Sequence, residues 1–99
     1  VVIEWLKVRV PHEIQPRFLE ADARIWTLML SVCPGFVRKE TWHDPQDPDA
    51  LVLVIQWRSL ALWKAIPADV LAQTEQRFIA EMGQRFALLE TRTFEVISE

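Results

Sequence analysis

Hydrophobic and polar positions alternate from Val2 to Val10. Val2, Glu4, Leu6, Val8 and Val10 fall on one side, and Ile3, Trp5, Lys7 and Arg9 on the other. A period of two is that of a β-strand, and Pro11 ends it. The apolar spacing then changes to threes and fours through Ile14, Phe18, Ala21, Ile25, Leu28, Met29 and Val32. That is one face of a helix. Pro16 fits only in a first turn, where its missing N–H has no partner to lose, so the helix starts near Ile14 or Gln15. Pro34-Gly35 stops it. Phe36 to His43 reads as a second, more polar strand, and Asp44 to Asp49 as a turn preset by Asp side chains and prolines. Leu51 to Trp57 is a nearly continuous apolar run, as expected of a central strand covered on both faces. Ser59 caps a short helix carrying Leu60, Leu62, Trp63 and Ile66, which Pro67 interrupts. Asp69 to Met82 repeats the helical pattern with Leu71, Thr74, Phe78 and Met82, and Gly83 ends it. The last strand spans about Leu88 to Ile97.

The order is β-α-β-β-α-β, the split βαβ arrangement. It predicts a single α+β domain over residues 1–99 with a ferredoxin-like antiparallel sheet and both main helices on one face. Leu6, Val8, Leu53, Ile55 and Trp57 are then under the helices. The other face carries Ile3, Trp5, Val52 and Val54 and is too apolar to stay in water. A homodimer through that open face, a dimeric α+β barrel, is the expected assembly.

Composition narrows the function. A chain of 99 residues that is 51% hydrophobic and 25% charged is a globular domain able to form a core without metal or disulfide. A net charge of −3 is wrong for a nucleic-acid partner, which requires a basic stripe. No apolar run nears the roughly 20 residues of a membrane span. The single cysteine, Cys33, suits a reducing, cytoplasmic compartment. The chain begins at Val1 and not at Met, which leaves open whether residues precede it.

Glu4 is the position that breaks the pattern. It shares the alternation of Leu6 and Val8, so its carboxylate points under the helices, where lost hydration raises its pKa unless a cation pairs with it. It reads as a general base or substrate anchor, with an edge position or a structural pair to an arginine such as Arg92 as the competing reading. Trp26, Trp57 and Trp63 sit on elements expected to converge over one end of the sheet. They read either as an aromatic wall for a flat ligand or as core packing. His12 and His43 lack metal spacing and read as surface residues, a proton shuttle being the alternative. Asp44, Asp47 and Asp49 have the look of turn chemistry, since the prolines between them do not suit a calcium loop. Cys33, at a helix C-terminus, is badly placed for a nucleophile and reads as a small buried hydrophobe. Two glycines, each ending a helix, leave no phosphate-binding loop.

Pro34-Gly35-Phe36 opening a strand that contains Glu40, then Asp44-Pro45-Gln46-Asp47-Pro48 leading to a strand ending at Trp57, resembles the antibiotic-biosynthesis-monooxygenase-like family of dimeric α+β barrels. Val2-Ile3-Glu4-Trp5-Leu6, Ile25-Trp26-Thr27, Gln56-Trp57-Arg58-Ser59, Trp63-Lys64-Ala65-Ile66-Pro67 and Thr74-Glu75-Gln76-Arg77-Phe78 resemble a branch of it known mainly from cyanobacteria. The resemblance covers essentially the whole chain. It implies a cofactor-independent oxygenase, or a similar enzyme, acting on a small aromatic compound, and Glu4 and a Trp-rich cavity fit such a site. The same superfamily includes haem degraders, whose tryptophan after the third strand is matched by Trp63. Their first-strand asparagine falls where this chain has Glu4, and their helix histidine has no counterpart between Ser59 and Glu99. A non-catalytic ligand-binding or structural dimer is the remaining alternative, and it predicts a closed cavity with Glu4 paired to an arginine.

Overall fold

The computed structural model describes all residues, Val1–Glu99. Four strands, β1 (Val2–Arg9), β2 (Phe36–Asp44), β3 (Asp47–Trp57) and β4 (Ala87–Glu95), form one antiparallel sheet in the order β2-β3-β1-β4. The helical segments lie between β1 and β2 and between β3 and β4. This is the ferredoxin-like α+β arrangement that the order of the elements predicts.

Register decides which side chains share a face. Glu4 is opposite Ile55, Leu6 opposite Leu53 and Val8 opposite Leu51, so these alternate positions share the helix-covered face. Ile3, Trp5 and Lys7, opposite Gln56, Val54 and Val52, look the other way. In β2, Lys39 pairs with Ile55 and thus also faces the helices. Under the helices Val8, Val10, Ile14, Phe18, Ala21, Ile25, Leu51, Leu53, Phe78 and Met82 form the main core. Phe18, Phe78 and Phe86 meet edge to face with centroids 5.1–5.7 Å apart, a favourable alignment of ring edges with ring faces.

The first helix differs from expectation. A short 3-10 turn, His12–Ile14, leads into α1 (Gln15–Asp22), with Pro16 in its first turn. A wider π-helical turn then occupies Ala23–Thr27 before α2 (Leu28–Ser31) resumes the ordinary pitch. A π turn adds one residue to the turn without altering composition, so apolar spacing alone does not disclose it.

The predicted six-residue turn is also shorter. Asp44 pairs with Asp47, leaving Pro45-Gln46 as a two-residue connection, and Asp47-Pro48-Asp49 belong to β3. Asp44 Oδ1 accepts the Gln46 N–H at 2.9 Å, Asp47 Oδ1 that of Asp49 at 3.3 Å, and Asp49 Oδ1 that of His12 at 2.8 Å. These carboxylates therefore hold backbone. Gln15, buried, ties the same end together: its Nε2 donates to Val10 O at 3.0 Å and Pro48 O at 2.7 Å, and its Oε1 accepts from the exposed His43 Nε2 at 3.0 Å.

Ser59 caps α3 (Leu60–Lys64), its Oγ accepting the Leu62 N–H at 3.2 Å. The helix ends before Ile66, and α4 (Ala68–Met82) follows Pro67 and stops at Gly83, φ +68°. Gly35, φ +89°, is needed twice over: the backbone is left-handed there, and a Cβ would lie 2.6 Å from Leu62 Cβ. The close approach seats α3 against the start of β2.

The open face of the sheet displays Ile3, Trp5, Trp42, Val54 and Phe94 around a broad depression. Trp42 and Phe94 are 48% and 43% exposed. No helix is long and apolar enough to cross a membrane.

Candidate active site between helices and sheet

The helices do not fill the space above the sheet. A cavity of about 460 Å³ remains, lined by 18 residues of which 14 are hydrophobic. That volume is in the usual range for small-molecule sites. Its floor is sheet, with Glu4, Leu6, Leu53 and Ile55, and its roof includes Trp26, Trp63 and Phe78.

Glu4 enters through the alternation of β1. Burial pushes its carboxyl above the ordinary range, outweighing the Trp57 indole and the positive charges of Lys64 and Lys39. Trp57 Nε1–H donates to Glu4 Oε1 at 3.2 Å. No cation lies within ion-pair distance of it. Arg92, the partner that sequence allows, is on the opposite face of the sheet, across from Trp5, and pairs with Glu90.

The three tryptophans part company. Trp26 and Trp63 line the cavity. Trp63 is backed by Lys64, whose Nζ lies 4.2 Å from its ring centroid. Trp57 is fully buried, off the cavity wall, and packed edge to face on Phe36 at 5.9 Å. It stands behind Glu4 and not among the residues that line the cavity, and in this the geometry differs from the expectation of a three-tryptophan wall. Trp57 forms one buried cluster with Leu30 and Ile55, against which Phe36 and Ile66 pack, and the alternation of β3 turns its ring inward.

Three cavity residues escaped sequence reading. Glu75 of α4 lines the cavity yet is exposed, so it stands at the rim. Burial raises its carboxyl too, and hydrogen bonding to the Trp26 side chain offsets part of that. Asp22 and Lys39 form the other polar feature. Lys39 Nζ donates to Asp22 Oδ2 at 2.6 Å and to Thr27 Oγ1 at 3.0 Å, with both charged side chains about 95% buried. The π turn makes this possible. Asp22 and Thr27 are five residues apart, about 140° around an α-helix. The slower winding of a π turn brings positions 22 and 27 closer to one face, and both side chains reach one ammonium. Position 39 in a polar edge strand carried no such signal, because its partners arrive from a helix 12 and 17 residues earlier.

Chemically, the arrangement offers a carboxyl of raised pKa in an apolar chamber, a buried cation and aromatic walls. It can hold a flat molecule, take a proton from it at Glu4 and exclude bulk water. No three His, Cys, Asp or Glu side chains gather in a metal-holding group. His12 and His43 lie away from the cavity. Cys33 is part-buried, its Sγ 3.5 Å from Met29 O, and desolvation pushes its thiol up.

The fold and this chamber define a class: the chain has the fold of the antibiotic biosynthesis monooxygenase-like proteins. SnoaB, a cofactor-independent oxygenase from Streptomyces nogalater, superposes with a TM-score of 0.72 at 17% identity over 99% of this chain and 94% of that one. A candidate antibiotic biosynthesis monooxygenase from Deinococcus radiodurans gives 0.71 at 14% identity, covering 100% and 95%. Another from Chloroflexus aurantiacus gives 0.66 at 24% identity, covering 99% and 94%. The likeness is one of fold. Sequence comparison with family models and with curated proteins gives no match.

Proposed function

We propose that this protein is a cofactor-independent, monooxygenase-like enzyme that acts on a small, electron-rich aromatic compound in the helix–sheet cavity. The observation that carries the reading is Glu4: an acid without an ion-pair partner, its pKa raised by burial, on the floor of a 460 Å³ apolar chamber. An ion-paired, purely structural glutamate would have its pKa lowered. In the proposed reaction Glu4 takes the proton of a ring hydroxyl, and the phenolate reduces molecular oxygen. A peroxide forms at a ring carbon. Loss of water, with the hydrogen of that carbon, leaves a carbonyl. One oxygen atom stays on the ring, the other leaves as water, and the substrate supplies all the electrons. Trp26 and Trp63 orient the ring. SnoaB, described as a cofactor-independent oxygenase, has the same fold and makes such chemistry accessible to this architecture.

The working unit of this reading is a homodimer joined through Ile3, Trp5, Trp42, Val54 and Phe94. An apolar sheet face with exposed indoles is costly to hydrate. The single cysteine, partly buried, fits a protein of the reducing cytoplasm.

Oxygen uptake with a panel of phenols and quinols tests the assignment. Turnover by the wild type with at least one of them, reduced about 10²–10⁴-fold in Glu4→Gln, is the expected result. No uptake with any of them, or full activity in Glu4→Gln, overturns it.

A further inference from the structure

We propose that Lys39, gripped by Asp22 and Thr27, is the oxyanion site of the cavity: its remaining N–H receives the ring oxygen of a phenolic or enolic ligand once that oxygen has lost its proton. The inference rests on the reading of the cavity as a ligand site and adds the residue that holds the charge.

An ammonium has three N–H donors. Two are directed at Asp22 Oδ2, 2.6 Å, and Thr27 Oγ1, 3.0 Å, while Lys39 also forms part of the cavity wall. The third has no protein acceptor, in a side chain only 5% exposed. Each of its holders has one purpose in the geometry. Asp22 pairs with the nitrogen away from water, and Thr27 orients it. A buried ion pair is a poor means of adding stability, because desolvation consumes most of the attraction. The π turn that aligns Asp22 with Thr27 is a local departure from the favoured helix, of the kind that recurs at functional sites. Both departures are accounted for if the pair presents a fixed cation to a ligand.

The charges around the chamber divide the labour. Its ionisable lining is Glu4 and Lys39 on the sheet, Asp22 from the first helix and Glu75 from α4. Asp22 is already engaged with Lys39. Neither Glu4 nor Glu75 forms an ion pair or a hydrogen bond with the lysine. Lys64 stays over Trp63 outside the wall. When a ligand hydroxyl passes its proton to Glu4, the negative charge left on the oxygen meets a preorganised N–H in a low-dielectric space, where such contacts are strongest. The favoured ligand is therefore a neutral hydroxyarene or enol whose conjugate base is stabilised by the ring, not a permanent dianion or a phosphate ester.

The test uses 4-nitrophenol, whose phenolate and phenol absorb differently. Its ionisation is followed bound to the wild type, to Lys39→Arg and to the double variant Lys39→Gln/Asp22→Asn. The double variant keeps hydrogen-bonding groups and leaves no lone buried charge. At a fixed pH, the bound phenolate-to-phenol ratio is expected to fall about tenfold in the double variant, one pKa unit of lost stabilisation, and to be largely kept by Lys39→Arg. Equal ratios with probe bound to both proteins overturn the role of Lys39 and leave the cavity reading intact. Failure of the wild type to bind 4-nitrophenol overturns both. A second measurement needs no variant. Wild-type affinity for 4-nitrophenol should rise through the probe's own ionisation, relative to 4-nitroanisole, which has no proton to lose. A fall in that relative affinity overturns the proposal.

Discussion

The indole N–H of Trp57 donates to Glu4 Oε1 across 3.2 Å, joining two residues 53 positions apart in the chain through adjacent strands. It links the last position of the central strand to the acid on the cavity floor. Trp57 has no exposed surface, so the donor cannot swing away. The contact holds Glu4 in one orientation and moderates, without reversing, the rise in its pKa.

Trp57→Phe keeps an aromatic ring in the core and removes the donor. Glu4 then loses the largest influence lowering its pKa, so the pH at which activity rises should move upward. Stability should fall by about 1–3 kcal/mol, as for a buried large-to-smaller change with a lost hydrogen bond. A pH–rate profile of kcat/KM alongside chemical denaturation checks both. An unchanged pH–rate profile would show that the indole does not tune Glu4.

Glu4→Gln should stabilise the protein near neutral pH. A carboxyl whose folded pKa lies above its ordinary value binds more protons folded than unfolded. Stability therefore decreases as pH rises from the ordinary carboxylate range through the raised value, and the loss persists above it. Glutamine is nearly the same size, accepts the Trp57 N–H and never ionises. Thermal melts across pH should show the variant ahead at pH 7 and level with the wild type once the Glu4 carboxyl of the wild type is protonated in both the folded and the unfolded chain. A variant that melts lower at pH 7 would contradict the raised pKa.

Gly35→Ala should cost about 1–3 kcal/mol, with a fall in Tm of several degrees for a domain of this size. Positive φ and the Leu62 contact both oppose a Cβ, and relief requires moving α3. Because α3 carries Trp63, the same substitution should weaken binding of aromatic ligands. Differential scanning calorimetry and ligand titration separate the two effects.

Trp42→Glu should give a monomer. The side chain is 48% exposed on the open sheet face, and a carboxylate there would have to lose its hydration in a dimer interface. Sedimentation velocity of wild type and variant reads this directly. A wild type that sediments as a monomer, or a variant that remains dimeric, would exclude this face as the joint.

Most of the architecture was legible in local pattern. Periods of two and of three to four, with prolines and glycines as punctuation, located every strand and both main helices, because backbone geometry imposes those periods wherever one face is buried. The shift at Asp44–Asp49 was not legible. Prolines and aspartates signal a turn equally well whether the hairpin closes at residue 44 or later, and the pairing of Asp44 with Asp47 is a cross-strand property.

The site divides along the same line. Glu4 stood out from sequence alone, since an acid in an apolar alternation has one destination and burial shifts its pKa in one direction. Its freedom from an arginine was decided by tertiary structure, which sends Arg92 to the other face. Trp26, Trp57 and Trp63 were visible as a group, but only packing separated the two that line the cavity from the one that backs Glu4. Lys39, Asp22 and Glu75 carried no local signal. Each is an ordinary polar residue in an ordinary polar position, and its role arises where a widened helical turn, an edge strand and a distant helix meet. Periodicity reports which way a side chain points within its own element. What it meets there depends on contacts between elements, and those exist only once the chain has closed into its fold.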